Sequence, residues 1–149
     1  MSDQTKEIRV CIDVADLDRA VAFYRDVFGL VPGRRLGTDW VEMLGAVAPI
    51  DLLGTPGGTA PVPKNRSVRR NFGRHWTPVH VDFVVSDLDA TVNRAVAAGA
   101  TLDREVQVRP YGRMANLADP FGNGLCILEM NSRGYDALAD EPERVEASK

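Results

Sequence analysis

Apolar and polar residues alternate over 8–14. Val10, Ile12 and Val14 lie on one side and Arg9, Cys11 and Asp13 on the other, a period-two pattern that predicts a half-buried β-strand. At Asp16 the period changes. Leu17, Ala20, Val21, Tyr24, Val27 and Phe28 recur at helical spacing. Asp16 is placed to accept from the free amides of the first turn, and Gly29 stands where a left-handed residue closes a helix. Strand candidates follow near 33–36, 40–44 and 50–53. The same order then returns. Val81, Phe83 and Val85 oppose His80 and Asp82, and Asp87 precedes a helix carrying Leu88, Val92, Ala95 and Val96 that ends at Gly99. Further strand candidates lie near 102–108, 113–117 and 124–130.

The return is a repeat in the sequence itself. Residues 9–21 slide onto 80–92 at a constant offset of 71, with six of 13 positions identical, including Asp-Leu-Asp. A supersecondary unit that recurs in this way predicts a duplicated architecture. The expected organisation is a βαβββ module at 6–55, a basic Gly/Pro-rich linker at 56–78, a second βαβββ module at 79–131 and an acidic, frayed tail at 132–149. The linker has few apolar residues, so it is expected to be the most mobile internal segment.

Composition narrows the class. The chain has 149 residues, 44% of them hydrophobic, enough for one core. No apolar run is long enough to span a bilayer, and the polar N-terminus does not read as a signal peptide. Cys11 and Cys126 lie far apart without CxxC spacing, which makes free thiols in the cytoplasm the expectation. A net charge of -3 argues against nucleic acid. The charge is uneven, however. Lys64, Arg66, Arg69, Arg70 and Arg74 fall in an acid-free stretch with Phe72 and Trp76 between them, which reads either as solvated surface or as a contact for an anionic group.

Two modules of this kind, the helix Asp16-Leu17-Asp18-Arg19-Ala20-Val21-Ala22-Phe23-Tyr24 and the closing segment Asp119-Pro120-Phe121-Gly122-Asn123-Gly124-Leu125-Cys126-Ile127-Leu128-Glu129 resemble the vicinal oxygen chelate superfamily. That group includes glyoxalase I, bleomycin-resistance proteins, methylmalonyl-CoA epimerase and extradiol dioxygenases. The resemblance covers about residues 6–131. It implies an α+β fold whose two modules form a curled mixed sheet around a cavity, and a homodimer. In metal-dependent members each module gives one ligand from its first strand and one from its last, and the ion stabilises an oxyanion of the substrate.

Carried over residue by residue, the resemblance aligns Arg9 and Gly54 in the first module with His80 and Glu129 in the second. His80 and Glu129 have the right chemistry for metal ligands or acid/base groups. Arg9 has no lone pair to offer and Gly54 has no side chain. Asp51 would serve only if a bulge shifted the strand. Alternation also aims Cys11 and Asp82 inward, while Tyr111 and Arg113 are candidates to line a ligand cleft. Trp40 is expected in the core, and so is Cys126, as an inert thiol. His75 reads as a loop residue.

Two functions stay open. One is a protein that binds a small oxygenated molecule in the cavity and needs no cofactor, with Arg9 facing the ligand and supplying part of a metal's charge. The other is a glyoxalase-like lyase or isomerase using His80 and Glu129, with Zn, Ni, Mn or Fe.

Overall fold

A computed structural model describes residues 5–139. The acidic residues from 140 onward, and residues 1–4, lie outside the described residues. The first module runs β1 (Val10–Val14), α1 (Leu17–Phe28), β2 (Val31–Arg35), β3 (Trp40–Leu44) and β4 (Ile50–Gly54). The second runs β5 (Val81–Val84), α2 (Leu88–Ala97), β6 (Thr101–Leu102), β7 (Gln107–Arg109), β8 (Gly112–Ala118) and β9 (Gly124–Met130).

Both helices start as expected. The carboxylates of Asp16 and Asp87 accept from Arg19 N and Ala90 N at 3.0 Å each, satisfying amides that a first turn leaves free. Gly29 closes α1 at φ 69°, a region where a side chain would be strained. Helix α2 ends at Ala98 in an ordinary conformation, and the left-handed turn falls one residue later, at Gly99.

Among the described residues the fold is α+β with two mixed sheets and no closed barrel. One sheet has the order β1-β4-β3-β2. The other has β5-β9-β8-β6, with β7 also paired to β8. In each module the first strand runs parallel to the last, β1 beside β4 and β5 beside β9. A parallel pair needs a crossover connection, which α1 or α2 opens.

The helix-facing sides of both sheets share one core. Val14, Phe23, Tyr24 and Leu52 of the first module and Leu88, Leu117 and Ile127 of the second belong to one buried cluster. Phe28 at the end of α1 stacks on Phe83 of β5 at 3.8 Å between ring centroids. The module junction is also hydrogen-bonded. Tyr24 Oη donates to Asp119 Oδ2 at 2.8 Å, and Asn123 Nδ2 donates to the Asp13 carbonyl at 2.9 Å.

The linker has no regular elements but is tied down at several points. Arg70 Nε meets Asp13 Oδ2 at 2.7 Å, Arg74 pairs with Asp103, and His75 N donates to the Gly122 carbonyl. A Cβ on Gly122 would fall 1.9 Å from Gly73 O, so glycine is what lets the linker lie against that turn. The start of the expected frayed tail is a 3-10 turn (Gly134–Ala137), with Tyr135 packed edge-on against Tyr111 at 5.1 Å. Among the described residues no helix is long and apolar enough to cross a membrane.

Candidate functional site

Each sheet has a helix-facing side and an open side, and strand register decides which residues share them. In the first module Cys11 lies opposite Asp51, and Val14 opposite Gly54. In the second, Asp82 lies opposite Cys126, and Val84 opposite Leu128. Val14 and Val85 are equivalent in the repeat, so Gly54 and Glu129 are equivalent too, as the sequence alignment had them. Both belong to the helix-facing side, however. On the open side the equivalent positions are Arg9 and Asp51 in one module, His80 and Cys126 in the other.

This changes the role of several expected site residues. Glu129 does not meet His80. Its Oε2 accepts from Leu88 N at 2.9 Å, at the start of α2. Arg113, directly opposite it on β8, donates to both Glu129 oxygens at 3.1–3.2 Å and to Asp89 at 3.0 Å. The trio fastens the α2 N-terminus, where a carboxylate also complements the helix dipole. Cys126, expected on the helix side, is on the open one, 7% exposed and in a small cluster with Tyr111 and Leu128.

Arg9 faces the open side but makes a closed network there. Its Nε and Nη2 bind the two oxygens of Asp51 at 2.8 and 2.7 Å, and Nη2 also reaches Glu42 Oε2 at 2.5 Å. Arg34 holds Glu42 from the other side at 2.8 Å, and Trp40 Nε1 donates to Asp51 Oδ1 at 3.0 Å. Trp40 therefore sits on the open face rather than in the core. Hydrogen bonds from Arg34 and then Arg9 pull the Glu42 carboxyl down to about 2. Arg9 likewise holds Asp51 below the ordinary carboxyl range, against its burial.

Asp51 reaches this position without a bulge, since β1 and β4 pair in unbroken register. A lone carboxylate at the buried start of an apolar strand requires a cationic partner. That signal went unread in the sequence, where Asp51 was expected to take part only through a bulge, and the structure pairs it with Arg9.

Cys11 and His80 line a cavity of about 590 Å³ between the edges of β1 and β5, roofed by the linker. Its walls include Ile12, Tyr24, Phe72, Trp76, Phe83 and Leu125, with polar groups from Asp13, Arg70, His75 and Asn123. The His75 ring nitrogens lie 2.8 Å from Gly73 O and 2.9 Å from Asn123 Oδ1. Trp76 is 81% exposed at the mouth. Arg9, Asp82, Tyr111, Arg113 and Glu129 are not among the lining residues. Phe72 and Asn123 were not expected to line a cavity: the linker that carries Phe72 read as detached from the modules, and Asn123 read only as part of the turn before the last strand.

The open side of the second module holds a different cluster. His80 Nε2 is 3.0 Å from Asp82 Oδ1, and Cys126 Sγ lies within 4.8 Å of ligand atoms on both. Burial, followed by the Asp82 charge, pushes the Cys126 thiol up to about 11. The donors for an ion shared between both modules do not fit: Arg9 carries no lone pair, and Asp51 is committed to Arg9 and Trp40.

Two strand–helix–sheet halves around one core, βαβββ in the first and βαββββ in the second, where the strand paired with β8 is split into β6 and β7, give an α+β protein with equivalent strand positions carrying the polar groups. The family model described as a glyoxalase-like domain matches residues 9–128, and the chain belongs to that family. It is 38% identical over 130 residues to the anthracycline biosynthesis protein DauV of Streptomyces sp. (strain C5), covering 84% of this chain and 41% of that protein. It is 37% identical over 122 residues to the anthracycline biosynthesis protein DnrV of Streptomyces peucetius, covering 78% and 38%. The chain thus spans about two fifths of the length of the curated relatives it matches. Its fold also resembles the crystal structure of a glyoxalase/bleomycin resistance protein from Albidiferax ferrireducens T118, with a TM-score of 0.62, 21% identity, and 83% and 97% coverage.

Proposed function

We propose that the chain binds a flat, oxygenated aromatic molecule in the cavity between its modules, without using an ion shared by both. The observation that carries this reading is the cavity itself. Its volume of about 590 Å³ falls within the range of small-molecule sites, as does an apolar lining with a few converging polar groups. Phe72, Trp76 and Phe83 offer faces for stacking an aromatic ligand. Nδ1 of His80 and the Cys11 thiol offer hydrogen bonds to its oxygens, since the His80 nitrogen engaged by Asp82 is Nε2. Relatives named for anthracycline biosynthesis support this ligand class. A lyase reading built on His80 and Glu129 has no common face to act from.

A homodimer belongs to the same proposal. Trp40, Leu44 and Val84 are 37%, 40% and 61% exposed on the open sides of the sheets, where a second copy would cover them. Light scattering that gives a clean monomer at micromolar protein would remove this part.

Binding is tested by titrating the protein with a dihydroxyanthraquinone such as alizarin and following tryptophan fluorescence. Saturable one-to-one quenching is expected, unchanged by EDTA, with affinity reduced about tenfold in Trp76→Ala, equivalent to ~1.4 kcal/mol. His80→Ala is expected to weaken binding by a similar factor. Quenching that does not saturate, or an affinity indifferent to both variants, would overturn the assignment of the cavity.

A further inference from the structure

We infer that His75 is a proton-operated latch on the roof of the cavity, an inference that rests on reading that cavity as a ligand site. The roof is the linker segment 70–76, and it is pinned at both ends. At one end Arg70 Nε meets Asp13 Oδ2 beside β1 at 2.7 Å, and Arg70 Nη1 donates to Thr59 Oγ1 at 3.1 Å. At the other end Arg74 pairs with Asp103 at 2.8 Å, and the His75 amide donates to the Gly122 carbonyl at 3.2 Å. Between the pins Phe72 lines the cavity and packs against the shared core. The roof is therefore strapped to the first module by Arg70 and to the second by Arg74 and His75.

The His75 ring sits between two acceptors, with Nδ1 2.8 Å from Gly73 O and Nε2 2.9 Å from Asn123 Oδ1. Turning the Asn123 amide over does not relieve this. Its Nδ2 already donates to the Asp13 carbonyl at 2.9 Å and to Asp119 Oδ2 at 3.1 Å, and a turned amide would set its oxygen against both. A neutral imidazole has one N–H and makes one of the two ring bonds. The imidazolium donates from both nitrogens. The charges around the ring are compatible with a cation. Asp119 lies behind Asn123, and Tyr24, which bonds Asp119, keeps its own proton. Arg74, whose Nη1 donates to the His75 carbonyl, is balanced by Asp103, and Asp13 is balanced by Arg70. His80 lines the same cavity. The latched roof thus holds a proton that the open one releases, so acid favours closure and closure weakens as pH rises through the imidazole range. Trp76, next in the chain and 81% exposed at the mouth, moves with the latch, and a ligand enters more readily once His75 is neutral.

The test follows backbone amide exchange in the full chain between about pH 5.5 and about pH 8.5, with the intrinsic rates divided out. Protection of the His75 amide is expected to fall about tenfold across that range, the scale of one hydrogen bond. The Gly58 and Arg70 amides, bonded to Arg70 O and Thr59 O at the other pin, should keep theirs. His75→Gln keeps a donor that does not titrate, and the amide at position 75 should then lose its pH dependence. Ligand entry is followed by tryptophan quenching with a hydroxymethyl-anthraquinone, which has no group titrating in this range. Its association should be faster at the alkaline end in the wild type and indifferent to pH in His75→Gln. Equal protection of the His75 amide at both ends of the range, or a pH dependence that survives in His75→Gln, would overturn the latch. A probe that does not quench saturably would instead remove the cavity reading, because the exchange measurement needs no ligand.

Discussion

Replacing Tyr24 by phenylalanine removes one hydroxyl from the junction between the modules and changes little else. Tyr24 is 1% exposed on α1, and its Oη donates at 2.8 Å to Oδ2 of Asp119, itself 2% exposed. Burial and the Asp119 charge keep the phenol well above its usual value, so it remains a donor throughout the ordinary pH range. A hydrogen bond to a charged group contributes about 1.5–3 kcal/mol. Asp119 would retain Phe121 N at 2.8 Å, Asn123 N at 3.0 Å and Asn123 Nδ2 at 3.1 Å. The carboxylate is therefore not stranded, and the lower part of that range applies, about 1.5–2 kcal/mol. For a chain of this size that lowers Tm by roughly 3–8 °C.

Both modules contribute to one core, so urea unfolding should stay a single transition, with the midpoint shifted and the slope unchanged. A double-mutant cycle with Asp119→Asn should give a coupling of at least ~1 kcal/mol. A loss below about 0.5 kcal/mol, the scale of a surface change, would refute the view that this bond joins the modules. So would a second transition appearing in the wild type.

Two further variants separate the two faces of the sheets. Glu129→Ala should destabilise by about 1 kcal/mol, the cost of a lost helix cap, and raise amide exchange at the start of α2 while leaving alizarin affinity unchanged; a loss of ligand affinity with no change in stability would reverse that assignment. Arg9→Met should alter the pH dependence of stability. The Glu42 pair stabilises the fold above pH 4.5 and is lost as pH falls towards about 2. Without Arg9 the Glu42 and Asp51 carboxyls titrate higher in the folded state, so stability at pH 7 drops and its slope between pH 4.5 and 2 flattens. Urea unfolding at several pH values checks this, and an unchanged slope would count against the network.

What was legible in the sequence follows from where its periodicity was one-sided. Helix α1 carries its apolar residues on one face and is bounded by Asp16 and Gly29, and the structure ends it where those residues predict. In β1, Val10, Ile12 and Val14 alternate with polar residues, so the side facing the helix was fixed by pattern alone. Strand β9 is different. Leu125, Cys126, Ile127 and Leu128 are all buried, because this strand packs under α2 on one side and under Tyr111 and Met114 on the other. A strand apolar on both faces has no alternation from which to set its phase. A one-residue error then exchanges its faces completely.

Choosing Glu129 by its chemistry put the carboxylate on the open side and the thiol on the helix side, the reverse of the structure. The same shift hid Asp51, which shares its module position with Cys126. Once the phase is set by the pairing of Asp82 with Cys126, the two modules differ in a physically simple way. One fills its open positions with an arginine and a carboxylate that satisfy each other. The other leaves an imidazole, a carboxylate and a thiol close together. Duplication supplied the same three backbone positions in each half, Arg9, Cys11 and Asp51 in one and His80, Asp82 and Cys126 in the other. The side chains placed there have divided the work, closing one half and leaving chemistry available in the other.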